Sequence, residues 1–586
     1  MRSVLESRQN HLGGRLSRIR TALLGSTLGI LSAASSAEAA PFRFETVVNN
    51  ADLIPGTSNL FNAYNPPSIN GSGLVVFRAR GRGGSSGGQP ATGIFTRDLL
   101  DGSLPRPIFS IASRGGLVPA PNNTGATFTE FPSFPRIDLN ASTTVAFRGQ
   151  SSPVWRTDDG SFGTSGIYSN PLGFLSTGAS QLGGLATFSH FSVPAAGGST
   201  GLKFDQFPGA PAVTDHKVVF KGNWTDAQGA GRTGVYFRDL LADGGVAPVR
   251  FIADSNTLIP GDSLNRNFGS TAPPSAAMNK AVFLGVDNEE APSVGGIYLS
   301  SLLGDPTSLT SLASIGGLTD LTDAGGLKSI GEVLSFNGRS VAYWGAWGTD
   351  TITQQVSCAA SGNQARLEYC KAQSNPSEGV GGVGDGKFQF EVPVNQGIFV
   401  TDVATKLTQL IARTGEQVSS FLSWNFSGRP PGVGEGDEEG DQELARWRSS
   451  AFMALDEEAL AFKGIGLWEV DGEEDVFEEV LSGLYAASSD GTSDIRTIVE
   501  TGMDGGLIDP DAVGIPIVAV GLERDGYRND RIAFAASMSL EGETEEDSLS
   551  WAGLYVANVP GPLPILGVGS AFAFARRIRK RIRLSS

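Results

Sequence analysis

Histidine and cysteine are scarce in this sequence, with three and two copies in 586 residues. Neither His190 nor His216, the two histidines beyond the N-terminal segment, can be matched from sequence to the serine and aspartate of a triad. The HExxH and Walker motifs are absent, as are a GxSxG nucleophile elbow and a GxGxxG at a strand–helix junction. We expect His216 to be a turn residue and His190 to be partly packed among phenylalanines, and we name no catalytic residue.

Helical periodicity is also rare, since few stretches place apolar residues at i, i+3, i+4 and i+7 over three turns. Glycine (78 residues) and proline (31) are plentiful instead. Together with Asn, Asp and Ser they bound short runs of Val, Ile, Phe and Tyr, which is typical of many short strands joined by turns. The composition predicts an all-β fold.

Two short patterns recur seven times in strict alternation, which indicates a repeat architecture. The first is a strand that ends on a small residue and an aromatic one, and the second is glycine, an apolar residue and an aromatic. A third apolar strand follows in most units, with a weak copy at 173–177, and segments such as 128–134 and 204–207 are expected to add a fourth. The pairs are 75–77 with 93–95, 145–147 with 166–168, 218–220 with 234–236, 281–283 with 296–298, 341–343 with 397–399, 460–462 with 483–485, and 532–534 with 553–555.

The seventh unit lacks its third strand, and a matching segment stands near the N-terminus. Residues 44–48 followed by 52–56 resemble residues 251–253 followed by 257–261. An N-terminal strand that completes the last repeat closes a ring and removes the open sheet edges. We therefore predict a seven-bladed β-propeller closed by an N-terminal clasp strand. The alternative is an open array of β-hairpin repeats.

Two inserts lengthen the repeats. The insert 348–396 splits the fifth unit and holds both cysteines, Cys358 and Cys370, twelve positions apart. In an oxidising compartment this polar loop predicts one local disulfide, because no CxxC spacing or neighbouring histidine favours a metal or redox pair. The insert 428–446 is Gly-rich and acidic, and we interpret it as a solvated charged loop.

No cofactor is predicted. A Ca²⁺ site is the weaker alternative for the acidic run 434–441 and for the segment 524–530. Neither segment has the Asp-x-Asp-x-Asp-Gly spacing that a calcium loop uses.

Residues 1–39 have the three parts of a secretory signal peptide. Five arginines accompany the apolar stretch 21–34, and Ala37-Glu38-Ala39 supplies the small-x-small cleavage motif. We expect cleavage between Ala39 and Ala40, because cutting one residue later would place Pro41 directly behind the scissile bond. The alternative for 21–34 is a soluble core helix. The body is then 40–558.

The tail 559–586 combines a proline-rich hinge, an apolar segment and a basic cluster. Residues 559–575 form an uncharged stretch of 17 residues, at the lower end of what spans a bilayer as a helix. Basic residues beyond such a segment stay on the cytoplasmic side and stop its transfer. The basic cluster consists of Arg576, Arg577, Arg579, Lys580, Arg581 and Arg583.

This tail resembles the PEP-CTERM sorting signal of bacterial surface proteins. Val559, Pro560, Gly561 and Pro562 stand where that family usually has Val-Pro-Glu-Pro, so Gly561 departs from the pattern. The resemblance covers the tail alone. It implies that signal peptidase removes one end, and that an exosortase-type enzyme removes the other and delivers the protein to the envelope or outside. The alternative is a plain C-terminal anchor helix.

The net charge of the body limits the kinds of molecule that it is expected to bind. The N-terminal 40 residues carry net +3 and residues 560–586 carry +6, so a chain of −17 has a body of −26. Such a body repels nucleic acid and other anionic polymers, and cations or neutral polymers are the expected partners.

Two functions remain: a structural or interaction protein that binds surface proteins or matrix components such as exopolysaccharide, or an extracellular polysaccharide hydrolase or lyase with its site in the central channel. The absence of catalytic motifs favours the first. Sugar contacts are expected at Trp155, Trp224, Trp344 and Trp347, with packing between blades as the alternative.

Overall fold

The computed structural model describes the body of the protein. The described residues are 41–559 apart from 82–90, 104, 120–124, 141, 158–159, 172, 196–197, 305–307, 324, 360–363, 376–381, 416–417, 431–442, 474 and 541–548. The predicted signal peptide and all of the predicted sorting tail except Val559 lie outside the described residues.

Antiparallel β-sheets build this body, which confirms the predicted all-β, propeller-like class. Each repeat of the sequence forms one unit of four to six strands. Units 1 to 4 contain β2–β6 (Phe61–Tyr64, Ser68–Ile69, Leu74–Gly81, Thr92–Asp98, Ile108–Ser113), β7–β11 (Phe128–Glu130, Arg136–Ile137, Val145–Thr157, Gly160–Ser169, Ser176–Ser180), β14–β17 (Ala212–Thr214, Lys217–Thr225, Gly231–Asp239, Arg250–Asp254) and β18–β22 (Ser270–Thr271, Ser275–Ala277, Lys280–Val286, Gly295–Ser301, Thr310–Ser314). A small hairpin, β12 (Pro194–Ala195) and β13 (Gly198–Ser199), joins units 2 and 3.

The remaining units carry the inserts and the chain ends. Unit 5 contains β23–β28 and one α-helix, α1; unit 6 contains β31–β34; and unit 7 contains β35–β37 together with the N-terminal strand β1. Their bounds are β23–β25 (Leu327–Ile330, Ser335–Phe336, Ser340–Ser357), α1 (Gln364–Gln373), β26–β28 (Gly382–Gly384, Lys387–Asp402, Thr408–Arg413), β29 and β30 (Ser423–Arg429, Glu443–Ser450), β31–β34 (Met453–Leu455, Ala459–Glu469, Val476–Ser488, Arg496–Glu500), β35–β37 (Ile517–Arg528, Arg531–Leu540, Leu549–Asn558) and β1 (Arg43–Asn49).

The two sequence patterns have a simple packing basis. Successive side chains of a strand point to opposite faces of its sheet. In β15, Val218 and Phe220 therefore pack on unit 2, whereas Val219 packs on unit 4. The glycine of the second pattern is required by close approach: a Cβ on Gly234 would meet the hydroxyl of Tyr236 at 2.6 Å and a backbone oxygen at 2.8 Å.

The units pack on one another in a closed cycle. Seven hydrophobic clusters each join two consecutive units, and the last joins unit 7 back to unit 1 through Val48, Phe77 and Leu554. The innermost strands β3, β8, β14, β19, β24, β31 and β35 contact each other in the same cyclic order. The strand β1 pairs antiparallel with β37, as expected for the clasp.

The hydrogen-bonded sheets do not correspond one to one with the seven units. The strand β25 pairs in parallel with β33 through residues 353–355 and 476–478, so units 5 and 6 form one ten-stranded sheet. The number of separate blades therefore stays a prediction, while the strand pairing of each repeat is as described.

Two predicted strands differ from the observed ones. Residues 204–207 do not form a strand, because only Gln206 makes a ladder contact there, an isolated bridge to Asn223. Phe204 and Phe207 are buried in the cluster between units 2 and 3. The innermost strand of unit 3 is β14 instead. The weak third strand predicted at 173–177 is displaced along the chain, since β11 begins at Ser176.

The insert 348–396 continues the ladder of β25 and β27 beyond the unit and contains α1 and β26. Cys358 and Cys370 are joined by a disulfide within it. The insert 428–446 belongs to a longer hairpin, β29 and β30, and its acidic run 434–441 lies outside the described residues. Aromatic side chains pack the first insert against this hairpin, with the rings of Phe390 and Trp424 stacked at 4.3 Å.

Across the described part of the chain, helices are short, and none has the length and apolar character needed to cross a bilayer. Val559, the first residue of the predicted sorting motif, follows β37 directly. Its backbone N–H donates to the carbonyl of Asp530 at 2.8 Å.

Candidate functional site

A charged segment of unit 7 occupies the centre of the cycle of innermost strands. The ladder between β35 and β36 passes from the pair Leu522–Phe534 to the pair Tyr527–Ile532, so residues 523–526 bulge out of the sheet. We call residues 523–526 the central bulge. Its side chains and backbone contact residues of other units, and each of its charged residues is at most 7% exposed.

The acids of the central bulge are already paired. Glu523 accepts a hydrogen bond from Arg136 of unit 2 at 2.6 Å, and Asp525 lies 3.6 Å from the same guanidinium. Arg524 donates to the carbonyls of Ala210 and Pro273, and burial lowers its pKa to about 10. Both carboxylates of the central bulge therefore already face the guanidinium of Arg136.

Segment 524–530 is the second weak calcium alternative. Its Asp525 lies 3.6 Å from the guanidinium of Arg136, and burial raises the pKa of Asp530, which disfavours the ionised carboxylate that a cation needs. Among the residues that the structure describes, no group of three or more His, Cys, Asp or Glu side chains is placed to hold a metal ion.

An open polar cleft of about 390 Å³ lies between units 3 and 4. Unit 3 contributes Asp205, Lys221 and Asn223, and unit 4 contributes Ser270 and Glu289. Their positions follow from the repeats: Lys221 and Asn223 continue β15 beyond its buried aromatic Phe220. Ser270 begins β18, whereas Asp205 and Glu289 lie in connections between strands. This cleft is the candidate functional site.

Carboxylates line both walls of the cleft. Asp205 accepts a hydrogen bond from the hydroxyl of Thr225 at 2.8 Å, and Glu289 accepts one from Ser270 at 3.0 Å. Between them the side-chain oxygen of Asn223 is buried and has no hydrogen-bond partner among the described residues. The cleft therefore offers acceptors from both sides, and one of them is unused.

Lys221 supplies a donor in the same cleft. Burial lowers the pKa of this lysine, and the nearby carboxylates of Glu332 and Glu289 oppose that effect. Lys221 makes no ion pair in the part of the chain that the structure describes. A partly buried ammonium without an ion pair costs free energy, so the residue is better suited to an incoming ligand than to the fold.

The hairpin β29–β30 reaches this cleft from the other side of the fold. Arg446 of β30 lies 3.5 Å from Glu289, and both side chains are about half exposed. Such an exposed pair contributes little to stability. The charges of Arg446 and Arg448 also lower the pKa of Lys221. The hairpin thus places two arginines beside the cleft without closing it.

The tryptophans predicted to contact sugar are buried instead. Trp224, Trp344 and Trp347 are only 6–7% exposed, and each packs in a cluster between two units. Trp224 lines the cleft by its edge and donates its Nε1–H to the hydroxyl of Tyr236 at 2.8 Å. The prediction of stacking platforms is wrong for these three residues, because the strand alternation turns them toward a neighbouring unit. The side chain of Trp155 lies outside the described residues.

The histidines lie apart from the cleft. His216 occupies the turn between β14 and β15, as expected, with its ring nitrogens 3.0 Å from Asp215 and 3.1 Å from Asp239. His190 lies in a 3-10 turn, and its ring centre is 4.0 Å from that of Phe191. Neither is near a serine and an aspartate in the arrangement of a triad.

Sequence reasoning missed the residues of the cleft, although one signal was present. The residue after the aromatic of the first pattern is basic in four units, at Arg78, Arg148, Lys221 and Lys463. Because that position faces the next unit, Arg78 pairs with Glu130 of unit 2 and Arg148 donates to the carbonyl of Phe207. Aligning the repeats on this position would have marked Lys221 as an interface cation.

Comparison with known proteins adds little. No protein-family model matches the chain, and no curated protein matches it. Among solved structures, a sialidase of Trypanosoma rangeli is 10% identical with a TM-score of 0.27, over 89% of this chain and 94% of the sialidase. TolB from Acinetobacter baumannii is 11% identical with a TM-score of 0.25, over 72% of this chain and 79% of TolB.

The β-propeller domain of the Trilobed protease from Pyrococcus furiosus is 11% identical with a TM-score of 0.23, over 59% of this chain and 80% of that domain. At TM-scores this low the likeness carries no argument about the present chain. The propeller-like fold follows instead from its own strand pairing and from the closed cycle of packing between its units.

Proposed function

We propose that this protein is exported, sorted to the cell envelope by its C-terminal tail, and binds extracellular polysaccharide there through the cleft between units 3 and 4. The seven repeats are taken to form seven blades closed by β1. The observation that carries the proposal is the polar cleft of about 390 Å³, with carboxylates on both walls and Lys221, which forms no ion pair among the described residues, in its lining. Sugar hydroxyls both donate and accept hydrogen bonds, so such a lining suits a neutral or weakly charged glycan.

Binding without turnover fits the rest of the molecule. The acids of the central bulge are paired with Arg136, and the −26 body excludes strongly anionic polymers by repulsion. Display of many copies on an envelope would multiply a weak contact by avidity.

The binding experiment uses the exported protein and a panel of extracellular polysaccharides, with retention and polymer chain length measured together. We expect retention without shortening of the polymer. Lys221→Met and Asn223→Ala should each reduce retention several-fold, whereas Lys328→Met, at an exposed lysine of β23, should not. Equal retention by Lys221→Met and Lys328→Met would exclude this cleft as the site.

A hydrolase or lyase remains the second function, and the observation that favours it is the pair Asp205 and Glu289 lining one cleft. Two carboxylates flanking a glycosidic bond are what glycoside hydrolysis uses. Depolymerisation that disappears in Glu289→Gln would replace the binding proposal with this one.

The sorting proposal has its own test. Intact-mass analysis of the protein recovered from the envelope should show a new N-terminus at Ala40 and loss of the residues after about Pro560. A surface form that retains both Met1 and Ser586 would contradict processing at either end.

A further inference from the structure

A second cleft, of about 380 Å³, lies between units 2 and 3 and shares no residue with the polar cleft. Its walls are mostly apolar, although His190 and two hydroxyl side chains also line it, and they come from the turn after β10, the start of β11, residues 190–191 and the loop after β16. Phe174, Leu241 and Val246 on these walls are 60%, 40% and 62% exposed, so a continuous apolar surface is open to solvent.

A buried cation, Arg238, lines this apolar cleft. It is 2% exposed and lies over the ring of Phe191, with the guanidinium carbon 5.2 Å from the ring centre. Its Nε and Nη1 donate to the carbonyls of Ala247 and Thr177, both at 2.7 Å, and its Nη2 donates to the carbonyl of Gly245. A guanidinium has five N–H groups, so two remain beyond these three hydrogen bonds.

The charge of Arg238 has no carboxylate partner among the described residues. The nearest acid in sequence, Asp239, is used elsewhere: its Oδ2 lies 3.1 Å from His216 and 3.7 Å from Lys217, and its Oδ1 accepts from the backbone of Leu241. Burial lowers the pKa of Arg238 to about 10, although the charge of Asp239 acts in the opposite direction without forming an ion pair. A cation in this position costs the fold free energy that a bound anion would return.

The repeats contain a matched case. Arg97 of unit 1 stands two residues beyond the aromatic Phe95, as Arg238 stands two beyond Tyr236. Its Nε likewise donates to a carbonyl in the loop of its own unit, that of Arg106 at 3.0 Å, and its Nη1 donates to a carbonyl of the preceding unit, that of Val47.

The difference between the two arginines is the counter-ion. Arg97 also lies 3.4 Å from the carboxylate of Asp52, whereas Arg238 lines an open apolar cleft. In unit 1, where the chain itself supplies the counter-ion of the arginine, that counter-ion is a carboxylate. We propose that the apolar cleft binds a carboxylic acid with an apolar body, such as a fatty acid, whose carboxylate pairs with Arg238 and whose hydrocarbon packs on Phe174, Leu241 and Val246.

Binding of decanoate and decanol to the full exported protein separates the two parts of this proposal. We expect saturable binding of decanoate, at least tenfold tighter than that of decanol, by calorimetry and by ligand-induced rise of the melting temperature. Equal affinity for the two ligands would remove the role of Arg238, and no saturable binding of decanoate below its solubility limit would overturn the site.

Variants on the exposed wall test the location without disturbing the core. Leu241→Asp places a negative charge in the cleft and should weaken decanoate binding at least tenfold. Leu303→Asp is the matched control, because Leu303 occupies the same loop position of unit 4 and is 62% exposed. At the position that Arg238 occupies in unit 3, unit 4 has Ser300. Arg238→Gln, if it folds, should bind the acid and the alcohol equally. Decanoate binding that survives Leu241→Asp unchanged would overturn the proposal.

Discussion

Asn49, the last residue of the N-terminal strand, donates its side-chain amide to the carboxylate of Asp509 at 2.9 Å. The same oxygen of Asp509 accepts from Trp551 at 2.9 Å and from Tyr555 at 2.8 Å, both on the strand that β1 pairs with. Burial and then the charge of Asp509 raise the pKa of Tyr555, so its hydroxyl keeps the proton that it donates. One carboxylate, 1% exposed, therefore joins the clasp, the loop before unit 7 and the last strand.

Replacing Asp509 by alanine should destabilise the fold strongly. Two buried donors and the partly buried Trp551 would lose their acceptor, and each unsatisfied buried donor costs about 1–3 kcal/mol before relaxation. We expect a loss of about 3 kcal/mol or more in the free energy of unfolding, measured by urea denaturation. Asp511→Ala, at an exposed acid two residues away, is the control and should change stability by less than about 0.5 kcal/mol. Similar curves for the two variants would show that Asp509 does not hold the clasp.

Removing the clasp should expose the edge of unit 7. A variant without residues 41–56 leaves the outer side of β37 unpaired from Gly553 to Asn558. Open edges pair with other chains, so we expect a lower melting temperature and concentration-dependent association in light scattering. A variant that stays monomeric with an unchanged melting temperature would contradict closure by β1.

Breaking the pair Arg136–Glu523 should cost more than breaking an exposed pair. Both side chains are 3% exposed, and removing one partner of a buried ion pair costs about 3–5 kcal/mol. Arg136→Met should therefore be strongly destabilising, and Arg136→Met combined with Glu523→Gln should recover part of the loss. Arg78→Met, which breaks a more exposed pair with Glu130 at 3.7 Å, is the control, with about 0–1 kcal/mol expected from its ion pair. Additive losses in the double variant would show that Arg136 and Glu523 are not coupled.

The strands could be predicted from sequence because their causes are local. The ring of Tyr236 lies against the Cα of Gly234, two residues away, and the same spacing recurs in every unit. The residues that pack together are therefore both contained in the short sequence pattern. The clasp was predictable for the same reason, since residues 44–48 repeat the form of 251–253. The central bulge has no such signal, because Glu523 finds its partner 387 residues away in unit 2.

The cleft residues escaped prediction for a related reason. Asp205 and Glu289 lie in connections, whose lengths and sequences differ from unit to unit, and only the packing of units 3 and 4 brings them together. The prediction for the tryptophans was wrong because the number of residues between a tryptophan and the buried aromatic does not show on which face of the sheet the indole packs. Comparing equivalent positions across the repeats would have been more informative, as Arg97 and Arg238 show.

Acid should weaken the fold through His190. Burial, and then the charge of Arg238, lower the pKa of His190 below its ordinary value of 6.5. The folded protein therefore binds this proton less readily than the unfolded chain, and stability falls as the pH drops below about 6.5 until the folded-state pKa is passed. His190→Gln should show a flatter dependence of unfolding free energy on pH in that window. An NMR titration of the His190 ring with a midpoint above 6.5 would contradict this account.

Replacing Lys221 by methionine should make the protein more stable while it weakens ligand retention. The lysine is partly buried without an ion pair in the described structure, and methionine fills similar space without a charge to desolvate. A gain of about 1 kcal/mol in unfolding free energy is expected, which is the usual size for relieving a residue kept for function. Lys328→Met should leave stability within about 0.5 kcal/mol, because its ammonium is already in water. If Lys221→Met is instead less stable than the parent, the ammonium supports the packing of units 3 and 4. The main argument that the polar cleft binds a ligand would then fail.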